Sequence, residues 1–435
     1  MSEVPTQGVF DFVSPGEDIV LHRGEGVVDG AAGRVQLWVS TGRIFGPRWR
    51  LEAGSRDVNL DSSILSIEHS HLGEVEVSIA VRGTRSGTEG PVAFGSIGSS
   101  HLGGAAQLDR VIVHWMNLPM ILPSSGLTVG DMSWSGRWHF EAAGWSFRLD
   151  SRPDLSEVLR IAQDQEQGFV MTHVGEIRRS DGEPFGAADV TEAIFAWQLS
   201  LSFALGRWVA PAIPVGFSQT GERVWEEWAP WRCDTLHGHD AWWDTHTEDD
   251  LRSFATRFVE ALLDSNEAPI VRHLAMHIIA ANHGSTTAEG QVMLAIAGLE
   301  YLAWVDLVLT GHVSEKKFSN QGAAWRIRKM LRGAQIPLLV PAELVGLYEL
   351  AQQENLDGPA SVVHVRHLIV HPKDPTKPYA IEGLVWQAAQ LLMEYGELLL
   401  LRRLDYGGRF MRRYPPNRWA HSSEPVPWAV NAPRD

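Results

Sequence analysis

The sequence predicts an α+β multidomain protein, in which an antiparallel β-rich N-terminal domain of sandwich or barrel type precedes a C-terminal all-α helical bundle. Short β-type runs bounded by Gly, Ser, Asp and Pro recur through residues 1–180. From about residue 247 onward, apolar residues recur at three- and four-residue steps. The length of 435 residues is enough for two or three domains.

Five runs in the first 180 residues have the composition of strands. They are 34–40, 75–81, 110–116, 138–142 with 145–149, and 168–174. Residues 187–209 are expected to form a helix, and a proline-containing stretch follows at 210–216. Residues 217–245 form an irregular, Trp-rich segment by sequence. We therefore expect a β-rich sensor or recognition domain over 1–215 and a Trp/His-rich linker over 216–246.

The second half of the chain is expected to be helical. The candidate helices are 247–264, 268–282, 286–310, 315–333, 342–354, 360–371 and 380–405. The last of these carries the clearest apolar stripe, and Gly407 and Gly408 end it. These helices define a domain over 247–408, which leaves 409–435 as a tail containing proline and arginine.

Charge and cysteine content exclude several classes of protein. The net charge of −16 excludes a generally basic nucleic-acid binder. The negative charge is unevenly distributed along the chain. Residues 286–435 contain 16 basic and 15 acidic residues, whereas residues 1–285 contain 21 basic and 38 acidic residues. Cys233, the single cysteine, excludes an internal disulfide and a Cys-based zinc site. Neither a signal peptide nor a transmembrane span is expected, so the expected location is the cytoplasm without membrane attachment.

The stretch 362–374, VVHVRHLIVHPKD, combines residues suited to phosphate chemistry. Arg366 and His371 are separated by four residues. Pro372 disfavours helical geometry at His371, so a helix is expected to end there. A guanidinium offers a planar fork to phosphate oxygens, and an imidazole moves protons near neutral pH.

This arrangement resembles the R-x4–6-H motif of HEPN-domain ribonucleases, in which Arg-Asn-x3-His is the commoner form. Here Arg366 and His371 match, Pro372 is a frequent follower, and His367 replaces the Asn. The resemblance covers roughly residues 285–405. It implies a HEPN-type bundle, a homodimer through the helical domain, RNA as substrate, and catalysis with neither cofactor nor metal. The layout is similar to ApeA-like bacterial HEPN proteins, which implies anti-phage defence and an unknown ligand or phage-derived trigger for the N-terminal domain.

An acidic partner for the arginine is expected on helix 286–310, which is apolar nearly all round. Glu300 lies in its middle, and a buried carboxylate needs a partner. HEPN-like domains often carry an acidic residue there, so the resemblance implies a Glu300–Arg366 pair. Pairing of Glu300 with Arg326 or Arg328 is the alternative, and Asp306 is a second candidate for the same role.

Basic residues interleaved with aromatics near the C-terminus form a candidate RNA-binding surface. The alternative is that they are helix-end charges that complement the helix dipole. The residues assigned to RNA contact are Arg409, Arg412, Arg413 and, beside the motif, Lys373. The basic group near the C-terminus also includes Arg402, Arg403 and Arg418, with Tyr414 and Trp419 among its members.

Two other functions are compatible with the sequence. The helical half can be a non-catalytic dimerisation scaffold whose Trp-rich β-domain binds carbohydrate or protein, with core packing as the alternative role of the tryptophans. The second is a hydrolase with a metal site, although the spacing of the candidate ligands matches no familiar metal-binding motif. The tryptophans are Trp225, Trp228, Trp231, Trp242 and Trp243, and the candidate metal ligands are His237, His239, Asp240, Asp244 and His246.

Overall fold

A computed structural model describes residues 3–53, 63–87, 90–104, 107–122, 125–165, 168–236, 241–414 and 422–429. The chain divides into two compact units. The first, here called the β-rich unit, comprises Met1–Gln198 and Val209–Gly238; the second, the helical unit, comprises Leu199–Trp208 and His239–Asp435. The predicted α+β class, with a β-rich N-terminal region and C-terminal helices, is confirmed.

The first six strands of the β-rich unit close into an antiparallel barrel with the order β1-β2-β3-β6-β5-β4. Alternate residues fill its interior, as Val35, Leu37 and Val39 do on one strand. Asp29 and Gly30 both have positive φ, which is the geometry of a tight Asp-Gly hairpin. The strands are β1 Ile19–Val28, β2 Ala31–Ser40, β3 Gly46–Ala53, β4 Ile64–His69, β5 Gly73–Gly87 and β6 Gly90–Ile97.

An eight-stranded antiparallel sheet completes this unit, in the order β7-β14-β13-β8-β12-β11-β10-β9. Helix α1 spans Leu155–Asp164, and α2, Ala187–Leu205, begins in this unit and ends in the helical one. The strands are β7 Ser100–Gly103, β8 Arg110–Met116, β9 Ser125–Val129, β10 Met132–Ala142, β11 Trp145–Ser151, β12 Met171–Arg179, β13 Ala210–Phe217 and β14 Arg223–Trp228.

The last two of these strands correct the sequence interpretation, which placed a proline-containing stretch and an irregular segment there. Proline lacks the N–H that a central strand needs. Here the pairing of β13 with β8 shifts register between Ala212 and Val215, and Ile213 has a φ of 51°. This bulge removes Pro214 from the ladder, so the strand continues past it.

The helical unit is built around α10, whose residues are buried almost without interruption from Leu384 to Leu401. α10 packs against α4, α5 and α9. The helices are α3 Glu248–Leu263, α4 Ala268–Asn282, α5 Ala288–Trp304, α6 Glu315–Ser319, α7 Ala323–Gly333, α8 Val345–Gln353, α9 Gly358–Val370 and α10 Leu384–Arg403, with a π-helical turn at Val305–Leu309 and a 3-10 turn at Lys377–Tyr379. Two short strands, β15 Arg409–Phe410 and β16 Glu424–Pro425, pair near the end.

Among the helices that the structure describes, one stretch is long and apolar enough to cross a membrane by length and composition alone. It is Ala288–Leu309, made of α5 and the π-helical turn. The core helix of a soluble protein passes the same test. Half of the residues in its most apolar window are buried inside the protein.

Candidate active site

Helix α9 carries the Arg-x4-His motif and is fixed at its first turn. The Asp357 side chain caps it by accepting a hydrogen bond from the backbone N–H of Ala360 at 3.0 Å. The guanidinium of Arg328 on α7 donates two hydrogen bonds to the same carboxylate, at 2.5 and 2.8 Å. Val362 and Val365 are fully buried and hold one face of α9 in the core.

Arg366 lies half-buried on α9, near its C-terminal end. Its Nε is shielded from solvent and has no hydrogen-bond partner, and none of the described carboxylates forms an ion pair with its guanidinium. His371 and His367 are both exposed, and their ring centroids are 5.0 Å apart. The end of α9 therefore carries a guanidinium that no described carboxylate pairs with, and two accessible imidazoles follow it within five positions.

Both candidate acidic partners pair with other arginines. Glu300 lies 3.5 Å from the NH1 group of Arg326, which was the alternative partner by sequence. Asp306 accepts a hydrogen bond from the NH1 group of Arg403 at 2.5 Å. The structure thus places the imidazoles of His367 and His371 side by side at the end of the helix that carries Arg366, and it pairs neither carboxylate with Arg366.

The arginines assigned to RNA contact are largely occupied by the protein itself. The Arg413 side chain is fully buried, so the structure corrects its assignment: it has no surface to offer RNA. Arg409 donates to the side chain and backbone oxygens of Ser423, and Arg412 donates to Glu424 at 2.6 Å. Lys373 is exposed just beyond the motif. Arg418 and Trp419 lie outside the described residues.

A buried polar network beneath the C-terminal segment was not foreseen from sequence. Arg413 donates two hydrogen bonds to Glu397 at 2.6 and 2.9 Å and a third to Asn282 at 2.9 Å. Its backbone N–H donates to Glu394, which also accepts from the Tyr414 hydroxyl at 2.8 Å. Complete burial raises the pKa of Glu394 to about 7. The available signal was two glutamates in an otherwise apolar helix.

The candidate metal cluster is described only in part. His237, His239 and Asp240 lie outside the described residues. Asp244 is buried, and its Oδ1 lies 3.3 Å from Nδ1 of His246. Across the part of the chain that the structure describes, no three His, Cys, Asp or Glu side chains are grouped as a metal site needs.

The tryptophans of residues 225–243 belong to the hydrophobic core. Trp225, Trp228, Trp242 and Trp243 are at most 2% exposed, and Trp231 is partly buried. A ring that stacks on a sugar needs an accessible face. These residues therefore do not supply the carbohydrate-binding surface that the scaffold alternative requires.

The β-rich unit contains a cleft of about 1000 Å³ that sequence reasoning missed. Three arginines line it. Arg110 lies over the ring of Phe217, with 4.8 Å between guanidinium carbon and ring centroid, and Arg148 is 3.2 Å from Glu176. Arg223 is the third, and residues 4–9 form one wall. Arg110 and Arg223 also have carboxylate neighbours, Asp109 at 3.9 Å and Glu226 at 2.5 Å. Glu222 is part of the lining as well, so the cleft presents both signs of charge.

Buried side chains hold this wall in place. Arg137 donates to the backbone oxygen of Val4 at 2.9 Å, and Asp150 accepts from the N–H of Thr6 at 2.6 Å. His114 Nε2 accepts from the backbone N–H groups of residues 9 and 10, both at 3.1 Å. Complete burial lowers the pKa of His114 to about 4, which keeps this nitrogen an acceptor.

Two regions of the chain are similar to domains of a known protein family. Residues 103–239 match the model of the YopA central domain, and residues 266–424 match that of the YopA C-terminal domain. The chain is similar to YopA. The SPbeta prophage-derived uncharacterized protein YopA of Bacillus subtilis (strain 168) is 26% identical over 308 residues, which are 69% of this chain and 67% of the relative. No solved structure matches the chain.

The two YopA matches divide the sites between them. The C-terminal match contains α4 to α10, and so it includes Arg366, His367 and His371. The central match contains β8 to β14, which carry Arg110, Arg148 and Arg223 of the cleft. The six-stranded barrel, whose last strand ends at Ile97, precedes the YopA central match.

Proposed function

We propose that the helical unit is a HEPN-type bundle that acts as a metal-independent endoribonuclease, cleaving RNA at a dimeric Arg-x4-His site. The supporting observation is the guanidinium of Arg366, which no described carboxylate neutralises, beside the exposed imidazoles of His367 and His371. An unneutralised guanidinium is available to the negative charge of a phosphate.

The chemistry requires only groups of this kind. The ribose 2′-oxygen attacks the adjacent phosphorus, the P–O5′ bond breaks, and the products are a 2′,3′-cyclic phosphate and a 5′-hydroxyl. One imidazole accepts the proton of the 2′-hydroxyl, and a second donates a proton to the leaving 5′-oxygen. Arg366 stabilises the charge that develops on the phosphate oxygens. A homodimer with a two-fold axis would bring two such sets together.

In this proposal the β-rich unit recognises the trigger, with the arginine-lined cleft as its ligand site. The similar protein is prophage-derived, so a related chain is carried in phage DNA. Anti-phage defence by cleavage of cellular RNA, set off by a phage-derived ligand, is the biological setting that we propose. The alternative function is a dimerisation scaffold without catalysis, whose β-rich unit binds another protein.

The test compares Arg366→Ala and His371→Ala with two controls in the same unit, Arg332→Ala at an exposed position and His283→Ala at a partly exposed one. The measurements are cleavage of a labelled single-stranded RNA, detection of the cyclic phosphate, and growth arrest on expression. Each motif variant is expected to lose about 10²-fold or more in rate. Wild-type rates in both motif variants would contradict the proposal. Absence of both cleavage and growth arrest for the wild-type chain would favour the scaffold.

A further inference from the structure

A second cleft, of about 630 Å³, lies in the helical unit where α5 passes into the π-helical turn. Its floor is apolar and is formed by Leu307, Met330, Ala334 and Leu399. Cationic side chains stand around it. Pockets of this size with an apolar lining and a few charged groups are typical of small-molecule sites.

The cleft and the Arg-x4-His motif are formed by different residues. Tyr379, in the turn that follows His371, donates a hydrogen bond to Glu289 at the start of α5. The cleft lies instead at the end of α5 and at Leu399 and Arg403 near the end of α10. An α-helix rises 1.5 Å per residue, so the 17 residues of α5 separate Glu289, in its first turn, from the cleft at its far end by roughly 25 Å.

One wall of the cleft is a fixed ionic clamp. Arg403 donates two hydrogen bonds to Glu267 at 2.8 and 3.0 Å and a third to Asp306 at 2.5 Å. Asp306 belongs to the π-helical turn, a distortion of helices that occurs frequently at functional sites. Partial burial raises the pKa of Asp306 in spite of the neighbouring Arg403. The clamp joins two carboxylates to one guanidinium, so Arg403 is occupied and offers no free positive charge to a ligand.

The positive charge available to a ligand comes from the rim. Lys329 is exposed, and none of the described carboxylates lies within ion-pair distance of it. The carboxylate nearest to Arg402 is that of Asp405, at 3.7 Å and itself 80% exposed, so this pairing is weak. His312 is also at the rim. An apolar floor beside Lys329, which no described carboxylate pairs with, and Arg402, which is only weakly paired, fits an anion attached to an apolar body.

We propose that this cleft binds a small organic anion, with its apolar body on Leu307, Met330 and Leu399 and its anionic group on Lys329 and Arg402. The site goes beyond the proposed nuclease activity and does not depend on it. A nucleoside monophosphate and a medium-chain carboxylate share this chemistry. The experiment therefore includes both.

Binding is measured by titration calorimetry on the full chain with AMP and with octanoate. Inorganic phosphate and adenosine are the controls for the two parts of AMP, and octanol is the uncharged control for octanoate. We expect one of the two anions to bind with a dissociation constant below about 1 mM, and each of its controls to bind at least about tenfold more weakly. The stronger of AMP and octanoate identifies the ligand source. Failure of both anions to bind overturns the proposal.

Two kinds of variant localise the site. Lys329→Gln and Arg402→Gln are each expected to weaken binding about tenfold. Gly333→Leu should block the cleft, because a Cβ added at Gly333 meets no atom within 4 Å and the fold can accept it. Gly284→Leu is the matched control, with equally open surroundings in the same unit. Binding that survives Gly333→Leu, in a protein with an unchanged melting temperature, overturns the proposal.

Discussion

Acid is expected to release the N-terminal wall of the arginine-lined cleft, because that wall is held by a neutral imidazole. His114 Nε2 accepts hydrogen bonds from the backbone N–H groups of Val9 and Phe10. Protonation would turn this acceptor into a donor that faces two other donors. Burial lowers the pKa of His114 to about 4, so protonation in the folded state comes at a free-energy cost.

The magnitude follows from the difference between folded and unfolded pKa values. Burial also lowers the pKa of His173, to about 3. Both values lie below the ordinary 6.5, so the unfolded chain takes up protons first. The stability from His114 and His173 is therefore full above pH 6.5 and falls as the pH drops toward the folded values. Between neutral pH and pH 5, each of the two histidines lowers the free energy of unfolding by about 2 kcal/mol, or about 4 kcal/mol together.

The assay is hydrogen exchange by mass spectrometry at pH 7.5 and 5.0, corrected for intrinsic rates, with urea unfolding at both pH values. Residues 3–13 should lose protection at pH 5.0. His114→Gln should reduce the pH-dependent loss of stability by about 2 kcal/mol, which is the share of His114. His139→Gln, an exposed imidazole on β10, should leave it unchanged. Equal protection of Val9 and Phe10 at the two pH values would refute the reasoning.

Three further predictions concern the helical unit. Arg413→Ala leaves Glu397 buried without its partner and is expected to cost about 3–5 kcal/mol in urea unfolding. Burial raises the pKa of Glu394 to about 7, so this unit should gain stability as the pH falls from 7 toward 4.5. Unfolding followed by helical circular dichroism should show this gain in the wild-type chain and not in Glu394→Gln. Asp357→Ala removes the cap of α9 and the partner of Arg328; a loss of about 1 kcal/mol and faster exchange in its first turn are expected.

Local patterns were enough to predict many of the elements. The structure has α4 at Ala268–Asn282 and β8 at Arg110–Met116, the bounds that the sequence predicts. In α4 and in β8, the residues that the apolar pattern marks as buried are buried in the fold. The tight spacing of Arg366, His367 and His371 was equally local, because all three lie in the last turns of α9 or at its C-cap.

Contacts between distant segments could not be predicted in this way. Asn282 and Arg413 are 131 positions apart, and no local pattern indicates that their side chains meet. The same holds for Glu300, whose partner depends on how α5 and α7 pack against each other. Strand β13 was missed for a related reason, since its bulge is defined by the neighbouring strand.

The end of α9 gives the motif its geometry. In a continuous α-helix His371, five positions after Arg366, would point roughly 140° away from it around the axis. Instead the backbone at His371 leaves the helical path, with φ −128° and ψ 61°, directly before Pro372. The direction of the imidazole is therefore set by the helix stop and not by a helix face. A residue at 372 that let α9 continue would turn the histidine away while leaving the sequence spacing intact.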